Sequence, residues 1–243
     1  MSADALLVEE HDERVVITLN RPEVRNTIDA RTVRELHAAC AELERRPRVA
    51  IITGADGVFA AGADIRELRE RGAAEAMEGI NSSVFERVAA LPLPTIAAVG
   101  GAAIGGGAEL AYACDIRVGT NQARFGNPEG GLGILAAAGA TWRLPELIGM
   151  ARAKEMLFAG RQVSAEKALD IGLLSEIAAE DDLLAVAHAW ADRMMRTPPL
   201  ALRLAKTALR APRDAHPAID DIAQAVLFET ADKRSRMDAF LAR

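Results

Sequence analysis

The chain has 243 residues, half of them hydrophobic and only 4% aromatic, so Ala, Leu, Ile and Val must build a core large enough for one domain, or for one domain plus an appendage. The 29 Lys and Arg against 35 Asp and Glu leave a net charge of −6, which argues against a general nucleic-acid binder while leaving small anionic ligands open. Cys40 and Cys114 are too few for a disulfide framework or a zinc site, and His11, His37, His188 and His216 are scattered without metal-ligand spacing.

Residues 6–8 and 15–19 read as two strands joined by a polar turn at 11–14. Asp29 then caps a predicted helix over 30–45, with Val33, Leu36, Cys40 and Leu43 on one face. Residues 49–53 form a buried strand closed by Gly54, and strand–helix–strand order implies a right-handed crossover in a partly parallel sheet. Asp64, followed three residues later by Glu67, resembles a capping box, and a second helix is expected over 74–91 before Pro92 and Pro94 stop it. Strand 95–99 leads toward Gly105-Gly106-Gly107, and a helix opens at Ala108. Strands at 114–118 and 123–126 precede a loop over 127–133 that holds Glu129 among glycines.

From Ala136 onward the pattern is nearly all helix. Segments at 149–159, 164–171 (capped by Ser164), 181–196, 218–228 and 231–243 are expected, and another runs from Thr197-Pro198 to 211 with Pro at its first position. A short strand or edge falls at 174–177. The composition shifts near residue 196, giving an α/β core over 1–195 and a helical region over 196–243. No charged-then-apolar leader and no apolar run of about 18 residues is present, so a soluble cytoplasmic protein is expected.

The chemistry gathers around the glycine triplet. Glycines at a strand-to-helix junction let backbone N–H groups approach a ligand, and a helix N-terminus adds partial positive charge. A dinucleotide loop fails because Leu110 stands where the third glycine of G-x-G-x-x-G belongs, and no Gly-Lys-Ser/Thr makes a P-loop. Glu109 is the first charge after the triplet, inside a run of Ala, Leu, Tyr and Cys, where a carboxylate needs a partner or a raised pKa. A small-residue loop at Ala61-Gly62-Ala63-Asp64 follows the preceding parallel strand. Both loops are expected at one sheet edge, each offering an N–H to one oxygen. Two carboxylates, Glu109 and Glu129, beside such an oxyanion hole suit proton transfer or water addition next to an activated carbonyl.

The strings Phe59-Ala60-Ala61-Gly62-Ala63-Asp64-Ile65, Ile104-Gly105-Gly106-Gly107-Ala108-Glu109-Leu110, Cys114-Asp115-Ile116 and Phe125-Gly126-Asn127-Pro128-Glu129 resemble the enoyl-CoA hydratase/isomerase (crotonase) family. Arg21-Pro22 with Asn26, Gly160-Arg161, residues 168–173 and Phe240 extend the likeness over nearly the whole chain. The resemblance implies an α/β, crotonase-like spiral of ββα turns with a C-terminal helical trimerisation region over 196–243, assembled as a trimer or a dimer of trimers. It implies hydration of a 2-enoyl-CoA thioester to a 3-hydroxyacyl-CoA. The N–H groups of Ala63 and Gly106 would hold the thioester oxygen. Glu109 would activate water for the β-carbon, and Glu129 would exchange the α-proton. Val24, Arg25, Ala61, Ala63, Asp64, Ile65 and Gly106 match regions that receive the CoA portion. No metal or redox cofactor is implied, since coenzyme A is part of the substrate, and no nucleic-acid or membrane partner is implied.

The sequence departs from the family pattern beside these residues. Ala136-Ala137-Ala138-Gly139-Ala140 stands where Pro-Gly-x-Gly-Gly is common, Gly130-Gly131 replace bulkier residues, and Gly100 replaces a frequent Asn. Thr27-Ile28 follow Asn26 where Ala-Leu is usual, and a short basic tail commonly follows the position of Arg243. The alternatives are a Δ3,Δ2-enoyl-CoA isomerase using one base near Glu129, another acyl-CoA enzyme of the family, or a non-catalytic acyl-CoA binder.

Overall fold

The structure is a computed structural model and describes residues 4–242. Strands β1 (Leu6–Glu10) and β2 (Arg14–Leu19) pair antiparallel, and α1 (Ala30–Arg45) returns the chain to β3 (Val49–Gly54), parallel to β2. Helices α2 (Ile65–Glu70), α3 (Ala73–Met77) and α4 (Ile80–Ala89) lead to β4 (Thr95–Val99) and β5 (Ala102–Ile104). Then come α5 (Gly106–Ala113), β6 (Ile116–Thr120), β7 (Arg124–Gly126), α6 (Ala140–Ile148), α7 (Met150–Ala159), β8 (Val163–Ser164), α8 (Ala165–Asp170) and β9 (Glu176–Ala178). Helix α9 (Leu183–Met195) closes the core, and α10 (Pro199–Leu209), α11 (Ala218–Phe228) and α12 (Ala231–Leu241) follow.

The large sheet has the order β1-β2-β3-β4-β6-β9 and is parallel beyond its first hairpin. Parallel strands covered on both faces read as continuous apolar runs, and β4 (TIAAV) is buried at every position. The period of two sorts these side chains. Val15, Ile17, Ala50, Ile52, Ala97 and Val99 face the core shared with α1 and α4. Val16, Ile51, Ile96 and Ala98 face Leu183, Ala187 and Ala191 of α9. Asp29 caps α1 by accepting a 2.8 Å bond from Thr32 N–H, as its spacing predicts.

Several boundaries differ from expectation. The helix over 74–91 is broken into α3 and α4 because Gly79 adopts φ 61°, the left-handed region. Strand 95–99 does not run into the glycine triplet. The chain instead switches at Gly100-Gly101 into β5, which belongs to a second sheet of order β5-β7-β8. Asp64 does cap α2, accepting from Arg66 and Glu67 N–H, but Glu67 does not bond back to the cap. Its carboxylate accepts instead from Ala30 N–H at 3.1 Å, tying α2 to the start of α1. Cys114 ends α5 rather than starting a strand, Pro199 rather than Pro198 is first in α10, and Arg243 lies outside the described residues. Lys206 of α10 is buried and bonds Asp115 Oδ2 at 2.6 Å, anchoring the helical tail to the sheet. No helix among the described residues is long and apolar enough to cross a membrane.

Candidate active site

Two backbone segments, the 61–64 loop and the start of α5, meet beside the small sheet. Ala60 and Ala103 make an isolated parallel bridge, with Ala60 N–H donating to Ala102 and Ile104 N–H donating to Ala60, both at 3.0 Å. This bridge, rather than a common edge of the large sheet, brings the 61–64 loop to the glycine triplet. A Cβ built on Gly106 would lie 3.5 Å from the amide nitrogen of Ala63, so the two amides sit side by side. Gly106 is the first residue of α5, and its N–H has no intrahelical acceptor. Neither it nor Ala63 N–H donates to another backbone carbonyl among the described residues. Two free donors at one spot are what a developing oxyanion requires.

Glu109 lies on the first turn of α5, buried to 3% exposure. Its Oε1 accepts from Ala138 N–H at 2.8 Å and Ala140 N–H at 3.1 Å. Burial pushes its carboxyl up to about 7, and the nearby Glu129 charge adds to the rise, while the two N–H bonds and Arg143 oppose it. Glu129 sits in a short 3-10 turn (Pro128–Leu132), where burial also raises its pKa and Asn127 partly offsets it. Asn127 Nδ2 donates to Glu129 Oε1 at 3.4 Å, and Tyr112 hydroxyl donates to Asn127 Oδ1 at 3.1 Å. Glu129 Oε2 is buried with no partner. Gly105, at φ 54°, leaves room for this acid, since a Cβ there would lie 3.2 Å from Glu129 Oε1.

A cavity of about 420 Å³ joins these groups; Ala63, Gly106, Glu109 and Glu129 all line it. One pair of donors and one pair of carboxylates therefore face a shared space. The family model of enoyl-CoA hydratase/isomerase matches residues 9–242. This chain belongs to that family. It is similar to the short-chain-enoyl-CoA hydratase of Clostridium acetobutylicum, at 36% identity over 100% of this chain and 97% of the relative. It is equally close to the 2,3-dehydroadipyl-CoA hydratase of Escherichia coli, at 37% identity over 98% and 96%. The solved enoyl-CoA hydratase of Bacillus anthracis superposes with a TM-score of 0.92 at 32% identity, covering 98% of this chain and 96% of that one. The crotonase-like α/β fold expected from the motifs is thus the fold of this family member.

The other family-matched positions lie beside the cavity rather than in it. Arg25, at φ 55°, accepts from Ala61 N–H through its carbonyl at 3.0 Å, which draws the Val24-Arg25 turn to the loop of Ala63. Ile28 donates to Gly62 and accepts from Asp64, fixing the same loop from its other side. Val24 and Ile65 are exposed there, and the Asp64 side chain is occupied in capping α2. Asn26, buried and at φ 54°, stabilises the turn by bonding Arg21, Ala55 and Val58 backbone. Asn81, Arg71 and Ile134 line the cavity although no local sequence pattern marks them. Asn81 hid inside the helix expected over 74–91. Tyr112 carried a usable signal, being the chain's sole tyrosine and three residues beyond Glu109 on the same helical face. Gly130 and Gly131 do not line the cavity.

Proposed function

We propose that this family member is an enoyl-CoA hydratase that adds water across the 2,3-double bond of a 2-enoyl-CoA thioester. The supporting observation is the single cavity that holds two buried carboxylates and two unpartnered N–H groups. The thioester oxygen accepts from Ala63 and Gly106 N–H, and these donors stabilise the charge that grows on it as the double bond opens. Glu109 takes a proton from water while the water oxygen bonds to C3. The C2–C3 π electrons move toward the thioester, and Glu129 delivers a proton to C2. The two acids share one proton before the step, because like charges in a buried site resist joint ionisation. Val24, Arg25, Ala61, Asp64 and Ile65, beside the cavity, receive the CoA portion. Water is the only co-reactant, so the step needs no metal or redox cofactor.

Loss of the enoyl thioester absorbance on incubation with crotonyl-CoA tests the proposal, with 3-hydroxybutyryl-CoA as product. A protein that converts a 3-enoyl-CoA to the 2-enoyl isomer yet never hydrates the latter is an isomerase. One that binds the thioester and leaves both unchanged is a binder. Either result overturns the hydratase reading.

A further inference from the structure

The 138–140 turn delivers both N–H groups that hold Glu109, yet its Ala-Gly-Ala composition supplies no side chain large enough to stiffen it. Arg143 packs against this turn. This side chain is buried, and its backbone N–H closes on Gly139 O at 2.8 Å. The guanidinium lies against Gly139 itself: a Cβ there would stand 2.6 Å from Arg143 Nη1. On the other side the guanidinium carbon lies 5.2 Å from the centre of the Trp142 ring. Arg143 Nη1 has no hydrogen-bond partner, while Nη2 pairs with Glu86 Oε2 on α4. The second oxygen of Glu86 pairs with Arg210, just beyond α10. A charged chain thus runs from the helical tail, through α4, to the turn that holds a site carboxylate.

We propose that Arg143 is the positioning residue for Glu109: it braces the turn whose N–H groups hold that carboxylate, and Glu86 and Arg210 tie the brace to the helical tail. Arg143 makes no hydrogen bond to Glu109, so it acts through the turn and through its charge. The groups that face Glu109 are Glu129 from the 3-10 turn, Arg143 from α6 and Tyr112 from its own helix. Glu86 of α4 acts on this set only through its pairing with Arg143. Arg143 is therefore the cation that opposes burial at Glu109. Its consequence for turnover rests on the hydratase reading, whereas its effect on Glu109 does not.

Carbon-13 NMR of the glutamate carboxyls in the full chain reads the Glu109 midpoint directly, with its signal assigned from Glu109→Gln. Arg143→Met should raise that midpoint by about one pH unit. Arg143→Lys keeps the charge but loses the planar fork, and should raise it by about half as much. Arg210→Met should move it the same way by less, and the double variant Arg143→Met/Arg210→Met should match Arg143→Met alone. The acid limb of kcat/KM for hydration should move with the midpoint while KM stays nearly constant. A midpoint unmoved within about 0.2 units in folded Arg143→Met overturns the proposal. So does an Arg210→Met effect that adds fully to it. If Arg143→Met does not fold, an unmoved midpoint in Arg143→Lys overturns it equally. Wild-type protein that shows the NMR shifts but hydrates nothing would refute the hydratase reading and leave the brace standing.

Discussion

A Cβ on Gly107 would lie 2.2 Å from the carbonyl oxygen of Ala60 and 2.7 Å from its methyl group, so α5 rests on the segment that leads to Ala63. Gly107→Ala must therefore push α5 and the 61–64 loop apart. The two N–H donors would then miss a common oxygen, although both glutamates remain. Hydration should fall by about 10²-fold or more, the scale set by loss of one oxyanion donor. Steady-state kinetics on folded variant, compared with its acyl-CoA affinity, check this; near wild-type kcat would contradict it.

Glu109→Gln and Glu129→Gln should each lower kcat for hydration by about 10²–10⁴-fold, the usual contribution of a positioned acid or base. Acyl-CoA affinity should change little, because backbone donors hold the thioester oxygen. Residues acting as one unit are not additive, so the double variant should be scarcely slower than either single one. An isomerase would lose its activity with Glu129→Gln and keep most of it with Glu109→Gln.

The raised Glu109 pKa couples activity and stability to pH in opposite senses. As the base, Glu109 must be ionised, so kcat/KM should fall as pH drops below about 7. For folding, the carboxyl rises from 4.5 to about 7, so the folded chain binds this proton more tightly than the unfolded chain. That contribution is complete below the unfolded pKa and is lost as pH rises through the folded one, on the order of 3 kcal/mol in all. Glu109→Gln removes the ionisation. Its stability advantage over wild type should be larger at pH 8 than at pH 5, as denaturant midpoints at the two values will show. A gap independent of pH would contradict the burial argument.

The helical tail bears Leu209 at 87%, Phe240 at 73% and Ile222 at 67% exposure, with Val226 and Met237 also exposed. So much apolar surface on one region calls for a partner, and the family motifs point to further copies of this chain. Light scattering at micromolar concentration should give a trimeric or hexameric mass. A monomer would refute the assignment of residues 196–243 to assembly.

The cavity wall combines Leu68, Ile80, Ile134 and Leu135 with the small residues Ala137 and Ala138. An acyl group larger or more branched than crotonyl should fill it better. Across a panel of chain lengths and branched thioesters, kcat/KM should peak away from crotonyl-CoA; a maximum at crotonyl-CoA would refute this.

Local rules made much of this legible. The α1 face, the Asp29 and Ser164 caps and the buried apolar runs of β3 and β4 follow from spacing alone, because each depends on residues close in sequence. The pairing of Ala63 with Gly106 was legible only as juxtaposed loops. Its actual cause, the Ala60–Ala103 bridge between sheets, joins residues far apart and leaves no periodic trace. The break at Gly79 was missed because one glycine in a helical pattern is more often tolerated than decisive. Arg143 was invisible for another reason: its neighbours Glu86 and Arg210 come from elements whose packing no local pattern encodes.

The small sheet sets the order in which this site can be assembled. A nascent chain that has emerged only as far as residue 120 already contains five of the six strands of the large sheet. It already contains both partners of the Ala60–Ala103 bridge that sets β5 beside the 61–64 loop, but β7 and β8, which complete the small sheet, are still to be synthesised. The turn at Ala138 and Ala140 is missing as well, so Glu109 emerges as an unpaired acid within an apolar helix. The scaffold and the amides of Ala63 and Gly106 can therefore begin to come together during translation, while Glu129 and the N–H groups that hold Glu109 are added only when later residues arrive.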